Sequence, residues 1–365
     1  MIEPVSIGLV GCGVISSAYL KAASIFKLLN FTACADIDAT AASKCGENFD
    51  IPSMTVDELL ARDDIEVILN LTIPSAHADV NMAALQSGKH AYCEKPFALN
   101  TTEGKRVLQE AQERGLRLGC APDTFLGGGH QTVRNALDDG AIGAPIAGTA
   151  FMMNHGHESW HPNPAFYYQR GGGPLFDMGP YYLTALVNAL GPVRRVAALT
   201  ARAFDTRTVG SEPRRGEQIN VKVDTHTAGT LEFTNGAIVT MVMSFDVWLH
   251  SNRFIEIHGT NASLSSPDPN GFGGSVRMSQ PDRTWAELPL THGYLENTRS
   301  IGLADMCVGI RTGRPHRCNG ELAYHVLEIM EAFGHSSVTG KHIELETTPE
   351  RPKPLPTGLA IGELD

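Results

Sequence analysis

Short, unbroken apolar runs alternating with amphipathic stretches organise the first third of the chain. Ile7-Gly8-Leu9-Val10 ends in Gly11-Cys12-Gly13 and passes into a helical pattern, and Phe31-Thr32-Ala33-Cys34-Ala35 closes on Asp36. Helices are expected near Ala39–Glu47 and Val56–Arg62. Val67-Ile68-Leu69-Asn70-Leu71 reads as a doubly buried strand stopped by Pro74, and residues 75–87 as a helix ended by Gly88. His90–Cys93 is a short strand running into Glu94-Lys95-Pro96. A helix over Thr101–Arg114 ends at Gly115, and Leu116–Ala121 is another strand. Apolar runs bounded by helical segments predict right-handed βαβ crossovers and a parallel sheet covered on both faces.

The pattern changes after about residue 145. Pro145–Asn154, Arg194–Arg202, Thr225–Phe233, Ala237–Phe245 and Phe254–His258 read as longer strands, with a hairpin signal at Thr234-Asn235-Gly236. The expected fold is therefore an α/β N-terminal domain over residues 1–122 and an α+β C-terminal domain over 123–347. The second domain is built on an open, largely antiparallel sheet and followed by a tail, 348–365. Leu322, Val326, Leu327 and Met330 share one helical stripe behind a candidate Asn319 cap. This late helix, 319–338, is expected to pack back on the N-terminal domain, and Arg207–Glu217 is expected to be a loop.

Composition narrows the class. At 365 residues the chain exceeds the usual limit for one core. Its formal charge of −11 leaves no basic surplus for phosphates, so nucleic acid is excluded as a partner. The seven cysteines are scattered and never form a C-x-x-C pair, which fits a reducing compartment. Met1-Ile2-Glu3-Pro4 has no basic region, and no apolar run is long enough to span a bilayer. No membrane association and a cytoplasmic location are expected.

Four stretches carry candidate chemistry. In the first, strand, Gly-x-Gly turn, helix, strand and acid follow in the order a dinucleotide needs. Gly11 allows the tight turn, Gly13 the close approach of a pyrophosphate, and Val14 and Ile15 continue the turn. Asp36, 23 residues past Gly13, suits a ribose 2′-OH and repels a 2′-phosphate, while Ile37-Asp38 brings no compensating Arg. NAD is therefore preferred over NADP. Thr72, Pro74 and His77 follow the next strand as cofactor neighbours. The second stretch is Glu94-Lys95-Pro96, beside the cofactor because ligands sit at the carboxyl ends of parallel strands. A buried Lys95 next to an oxidised nicotinamide can lose its charge and accept a proton; on spacing alone, a surface lysine has equal standing. The third stretch leads through Gly171-Gly172-Gly173 into a helix expected to begin near Asp177. The dipole there would keep that acid ionised, with Tyr181 one turn on along the same face. Without context the same residues read as a helix-start acid and a core aromatic. The fourth, His155-Gly156-His157-Glu158-Ser159-Trp160-His161, lacks a partner cluster, so no metal is expected. Trp160 and His161 instead suit contacts to a polyhydroxylated substrate, as does Asp123 in a loop nearer the N-terminus.

At these positions the chain resembles the Gfo/Idh/MocA oxidoreductases, the family of glucose-fructose oxidoreductase and inositol dehydrogenase. Gly11-x-Gly13, Asp36, Pro74 with His77, Gly88-Lys89-His90 leading into Glu94-Lys95-Pro96, the glycine-rich lead into Asp177, and Ile257-His258-Gly259-Thr260 match in order. The resemblance implies an N-terminal Rossmann domain and a C-terminal sheet that mediates homodimers or homotetramers. It implies an NAD(P)-dependent dehydrogenase or reductase acting on CH–OH groups of a sugar, cyclitol or related polyol. Lys95 is then the catalytic lysine, Glu94 a contact to the nicotinamide ribose or carboxamide, and Asp177 the substrate-binding acid. Many members carry His and Asp four and seven residues after that acid. Here Tyr181 and Thr184 stand there, so the acid/base is open between Tyr181 and Lys95. The expected mechanism has Lys95 and Asp177 serving one nicotinamide ring. Two other classes share the motifs: a glycosidase or isomerase with retained NAD, distinguished by product release without net NADH, and a sugar sensor that binds NAD without turnover.

Overall fold

A computed structural model describes residues 3–365, and the chain divides into two compact units. The first comprises the chain up to Gly127 together with His292–Leu327 and Pro352–Asp365, and the second comprises Gly128–Thr291 and Glu328–Arg351. The first boundary thus falls five residues later than the motif spacing indicates, and the C-terminal region is shared between units rather than being one continuous domain.

In the first unit, the described residues form a six-stranded parallel sheet. Its strands are β1 (Val5–Val10), β2 (Leu29–Ala35), β3 (Ser53–Met54), β4 (Val67–Asn70), β5 (His90–Cys93) and β6 (Leu118–Cys120), in the order β3-β2-β1-β4-β5-β6. The helices between them are α1 (Ser16–Ala22), α2 (Ala39–Phe49), α3 (Val56–Leu60), α4 (His77–Gln86) and α5 (Thr101–Glu113). Every residue of β4 is buried, as an apolar run flanked by helical segments requires. The chain order reverses between β1 and β4, the switch point at which open α/β sheets bind ligands. A later segment extends this unit: the Cys120 amide donates to the Cys318 carbonyl at 3.1 Å, and Gly119 bridges Asn319. Asn319 caps the helix Gly320–Thr339 as expected, its Oδ1 accepting the Leu322 N–H at 2.8 Å.

In the second unit, α6 (Gly128–Asp138) and α7 (Gly173–Leu190) accompany a nine-stranded sheet. Its strands are β7 (Pro145–Met153), β8 (Val193–Ala201), β11 (His226–Phe233), β12 (Ile238–Ser244), β13 (Ile255–Gly259), β14 (Ser263–Ser266), β15 (Arg277–Ser279), β16 (Trp285–Glu287) and β17 (Ile343–Glu344). All pairs are antiparallel except β7 with β12. Val239, Met241 and Met243 alternate inward along β12, toward α7, whereas Leu199 and Ile238 are exposed. The expected loop at 207–217 is a hairpin, because β9 (Thr206–Thr208) and β10 (Gln218–Asn220) pair across it. The polar composition hid two strands only three residues long.

Leu69 lies fully buried at the middle of the parallel sheet. Leu69→Ala is expected to lower the stability of this unit by about 2–5 kcal/mol, read from the shift of its urea unfolding midpoint.

Candidate functional site

Four consecutive strands of the first unit end at the same sheet edge, and each carries a motif. β2 delivers Asp36, β1 the Gly11–Gly13 turn, β4 Thr72 and Pro74, and β5 Glu94 and Lys95. At about 4.8 Å per strand, the row spans about 14 Å. Gly11 has φ +99°, and a Cβ there would lie 2.5 Å from the Leu71 carbonyl carbon, so the turn accepts no side chain. A Cβ on Gly13 would meet nothing within 4 Å: the space over the turn is open. Asp36 braces the turn by accepting the Cys12 N–H at 2.7 Å and the Asp38 N–H at 2.9 Å. Val14, in the turn, and Ile37, next to Asp36 in the chain, stand fully exposed. An open glycine turn, an acid and two uncovered apolar side chains suit a pyrophosphate, a ribose hydroxyl and an adenine face.

The Glu94-Lys95-Pro96 turn is held from behind. Glu94 accepts the Tyr19 hydroxyl at 2.8 Å and the Lys95 N–H at 3.0 Å, so its carboxylate sets the backbone from which Lys95 projects. The Lys95–Pro96 bond is cis. His77 starts α4 and is 1% exposed, its Nδ1 2.7 Å from the Pro96 carbonyl oxygen and its Nε2 2.9 Å from that of Thr72. Burial lowers its pKa, against the pull of these two carbonyls. His77 therefore ties the β4 and β5 turns together. Asn70, also buried, adds to this brace by accepting the Thr72 hydroxyl at 2.6 Å. Asp123 faces inward: it is 1% exposed, and its Oδ2 accepts the N–H groups of Ser300 at 2.9 Å and Gly302 at 3.1 Å. It caps the helix Ile301–Thr312, a role its position in the sequence does not reveal.

In the second unit, α7 begins at Gly173, four residues before Asp177, so Asp177 sits in the second turn rather than the first. The helix dipole fades within one turn; the nearer polar partner is His157, whose Nε2 lies 3.2 Å from Asp177 Oδ2. His157 Nδ1 is buried without a hydrogen-bond partner among the described residues, consistent with a tautomer that donates from Nε2 to Asp177. Tyr181 follows one turn later and is buried. Around His157 lie the rings of Trp160 (5.2 Å), Tyr167 (4.2 Å) and Phe245 (4.7 Å), while Trp160 remains 61% exposed. His161 packs edge-on against Trp160 and Tyr167.

The remaining members of the histidine-rich stretch diverge. His155 stacks on Trp248 at 3.4 Å, and Glu158 pairs with Arg207 at 2.9 Å. Arg207, 5% exposed, also pairs with Asp246, and Tyr168 donates to Glu158. His155, Glu158, Phe204, Arg207 and Trp248 line a cavity of about 390 Å³. Arg207 and Trp248 were invisible in the sequence because no spacing links them to residue 158.

Comparison with known proteins agrees with this two-part fold. Residues 5–121 match the NAD-binding Rossmann fold of an oxidoreductase family, and residues 130–265 match the GFO/IDH/MocA C-terminal domain. A 1,5-anhydro-D-fructose reductase of Ensifer adhaerens is 25% identical, over 80% of this chain and 84% of its own. A D-xylose 1-dehydrogenase (NADP(+)) of Haloferax volcanii is 25% identical over 86% of this chain and 91% of its own. The solved structure of a levoglucosan dehydrogenase with NADH and L-sorbose has the same fold, with a TM-score of 0.81 at 19% identity, over 96% of this chain and 100% of that one.

Burial raises the Asp123 pKa from 3.8 to about 6. The native chain then holds a proton that the unfolded chain releases, so this group lowers stability as pH rises from about 4 to about 6. Asp123→Asn keeps an acceptor for both N–H groups but does not ionise. Its stability relative to the parent should therefore rise by about 1–3 kcal/mol between pH 4 and pH 7, measured by urea unfolding; a constant difference would exclude the linkage.

Proposed function

This chain belongs to the GFO/IDH/MocA oxidoreductases, and we propose that it moves hydride between a secondary alcohol of a sugar, cyclitol or related polyol and NAD. The observation carrying this reading is the row of Asp36, Gly11–Gly13, Thr72 and Glu94-Lys95 along one edge of the parallel sheet. When bound, the dinucleotide supplies a hydride acceptor for alcohol oxidation, or a hydride donor for the reverse reaction. Gly11, Gly13, Val14 and Ile15 hold its pyrophosphate, Asp36 its adenosine ribose, and Thr72, Pro74, the His77-braced turn and Glu94 its nicotinamide half. Asp36 selects NAD, because its carboxylate accepts from a 2′-OH and repels a 2′-phosphate.

Lys95 takes the hydroxyl proton as the carbinol carbon loses hydride. In reduction its ammonium polarises the carbonyl and offsets alkoxide charge. Tyr181 is the candidate relay for that proton. Asp177, held by His157, accepts hydrogen bonds from substrate hydroxyls, and Trp160 and His161 offer ring faces and edges to the polyol. The exposed Leu199 and Ile238, on the sheet face away from α7, support a homodimer or homotetramer through this face.

Lys95→Ala is expected to lower turnover by about 10²–10⁴-fold and to leave the NADH dissociation constant little changed. The assay follows absorbance of the reduced cofactor with a panel of sugars, inositols and sugar acids. Equal turnover in the two proteins would remove Lys95 from the chemistry, and NADPH binding tighter than NADH would overturn the role of Asp36.

A further inference from the structure

Cys12, Cys34 and Cys45 come from three different places in the first unit: the glycine turn, β2 and α2. Their Sγ atoms nevertheless all lie within 4.8 Å of one another. In a trithiolate site with metal–sulfur bonds of about 2.3 Å, the sulfurs stand about 4 Å apart, so these thiols need close by less than about 1 Å to share one ion. Two of them are buried and Cys12 is half-exposed, which leaves a route for entry. Sulfur is a soft donor, so an all-thiol set discriminates against Mg²⁺ and Ca²⁺ and favours Zn²⁺, Cd²⁺ or Cu⁺. No disulfide links these thiols.

We propose that Cys12, Cys34 and Cys45 form a binding site for one soft, thiophilic cation, and that its occupation weakens dinucleotide binding. Three thiols lose their protons as three metal–sulfur bonds form, and water completes the shell of a four-coordinate ion. The coupling follows from the position of Cys12. Its N–H is the group that Asp36 accepts at 2.7 Å, between Gly11 and Gly13. Drawing its sulfur toward Cys34 and Cys45 moves the backbone of the turn. Cys34 reinforces this, since it lies two residues before Asp36.

The test uses the full chain with a non-thiol reductant and Cd²⁺ as probe. Native mass spectrometry should find one retained cadmium per chain in the parent protein and in Cys120→Ala, and none in Cys45→Ala. Cys45 lies on α2 and is none of the residues assigned above to the cofactor, so NADH fluorescence titration should give Cys45→Ala the parent affinity without metal. One equivalent of Cd²⁺ should raise the NADH dissociation constant of the parent about fivefold or more and leave that of Cys45→Ala unchanged. Cadmium retained equally by Cys45→Ala, or by no protein, overturns the site. Cadmium bound with no loss of NADH affinity overturns the coupling. Only the second readout rests on the dinucleotide assignment: a chain that ignores NADH yet holds cadmium at these thiols refutes the proposed function and leaves the metal site standing.

Discussion

The absence of a side chain at Gly11 is the constraint on which the first unit turns. A single methyl group there would lie 2.5 Å from the Leu71 carbonyl carbon, the point where β4 leaves the sheet next to β1. Because the strands are parallel, this crowding occurs at the carboxyl edge, where the β1 and β4 turns face the same solvent. With glycine the turn folds flat against Leu71 and leaves Gly13 under open space. A larger residue would push the turn off its strand, and the Asp36 brace on the Cys12 amide with it.

The neighbouring turns are fixed by buried polar groups rather than by packing. Glu94 fastens the Lys95 amide while bonding Tyr19, and His77 spans the Pro96 and Thr72 carbonyls. The Glu94–Tyr19 bond joins the β5 turn to α1, and the His77 ring lies between the β4 and β5 turns. Losing one of these links would leave a buried donor or acceptor unpaired, which costs about 1–3 kcal/mol. That asymmetry explains why Lys95 can stand on a short, irregular loop and still keep its place.

The second unit uses the same device at higher charge. Arg207 is buried between Glu158 and Asp246, and Tyr168 completes the set. Such a group is no guarantee of net stability, but removing one partner strands a charge at about 3–5 kcal/mol. It fixes Glu158, and therefore the adjoining His157 that faces Asp177. The exposed Trp160 and Trp248 sit on this rigid base.

Much of this was written locally. Unbroken apolar runs set the parallel strands, because strands covered on both faces tolerate no polar alternation. The Gly-x-Gly turn after β1, the place of Asp36 after β2 and the Asn319 cap are short-range demands of backbone geometry, and each lies where the local pattern puts it. The start of α7 was misplaced because Pro174 is as good at a helix N-terminus as in the loop before it, so Asp177 answers to His157 rather than to the dipole. What local pattern cannot encode is convergence. His157 with Asp177, Arg207 with Glu158 and Asp246, Asp123 with residues 300–302, and the three thiols are separated by 11 to 179 residues. Hydrophobic periodicity says which face of an element is buried; which polar groups then meet on that face depends on strand order and helix placement, and these exist only once the chain has folded.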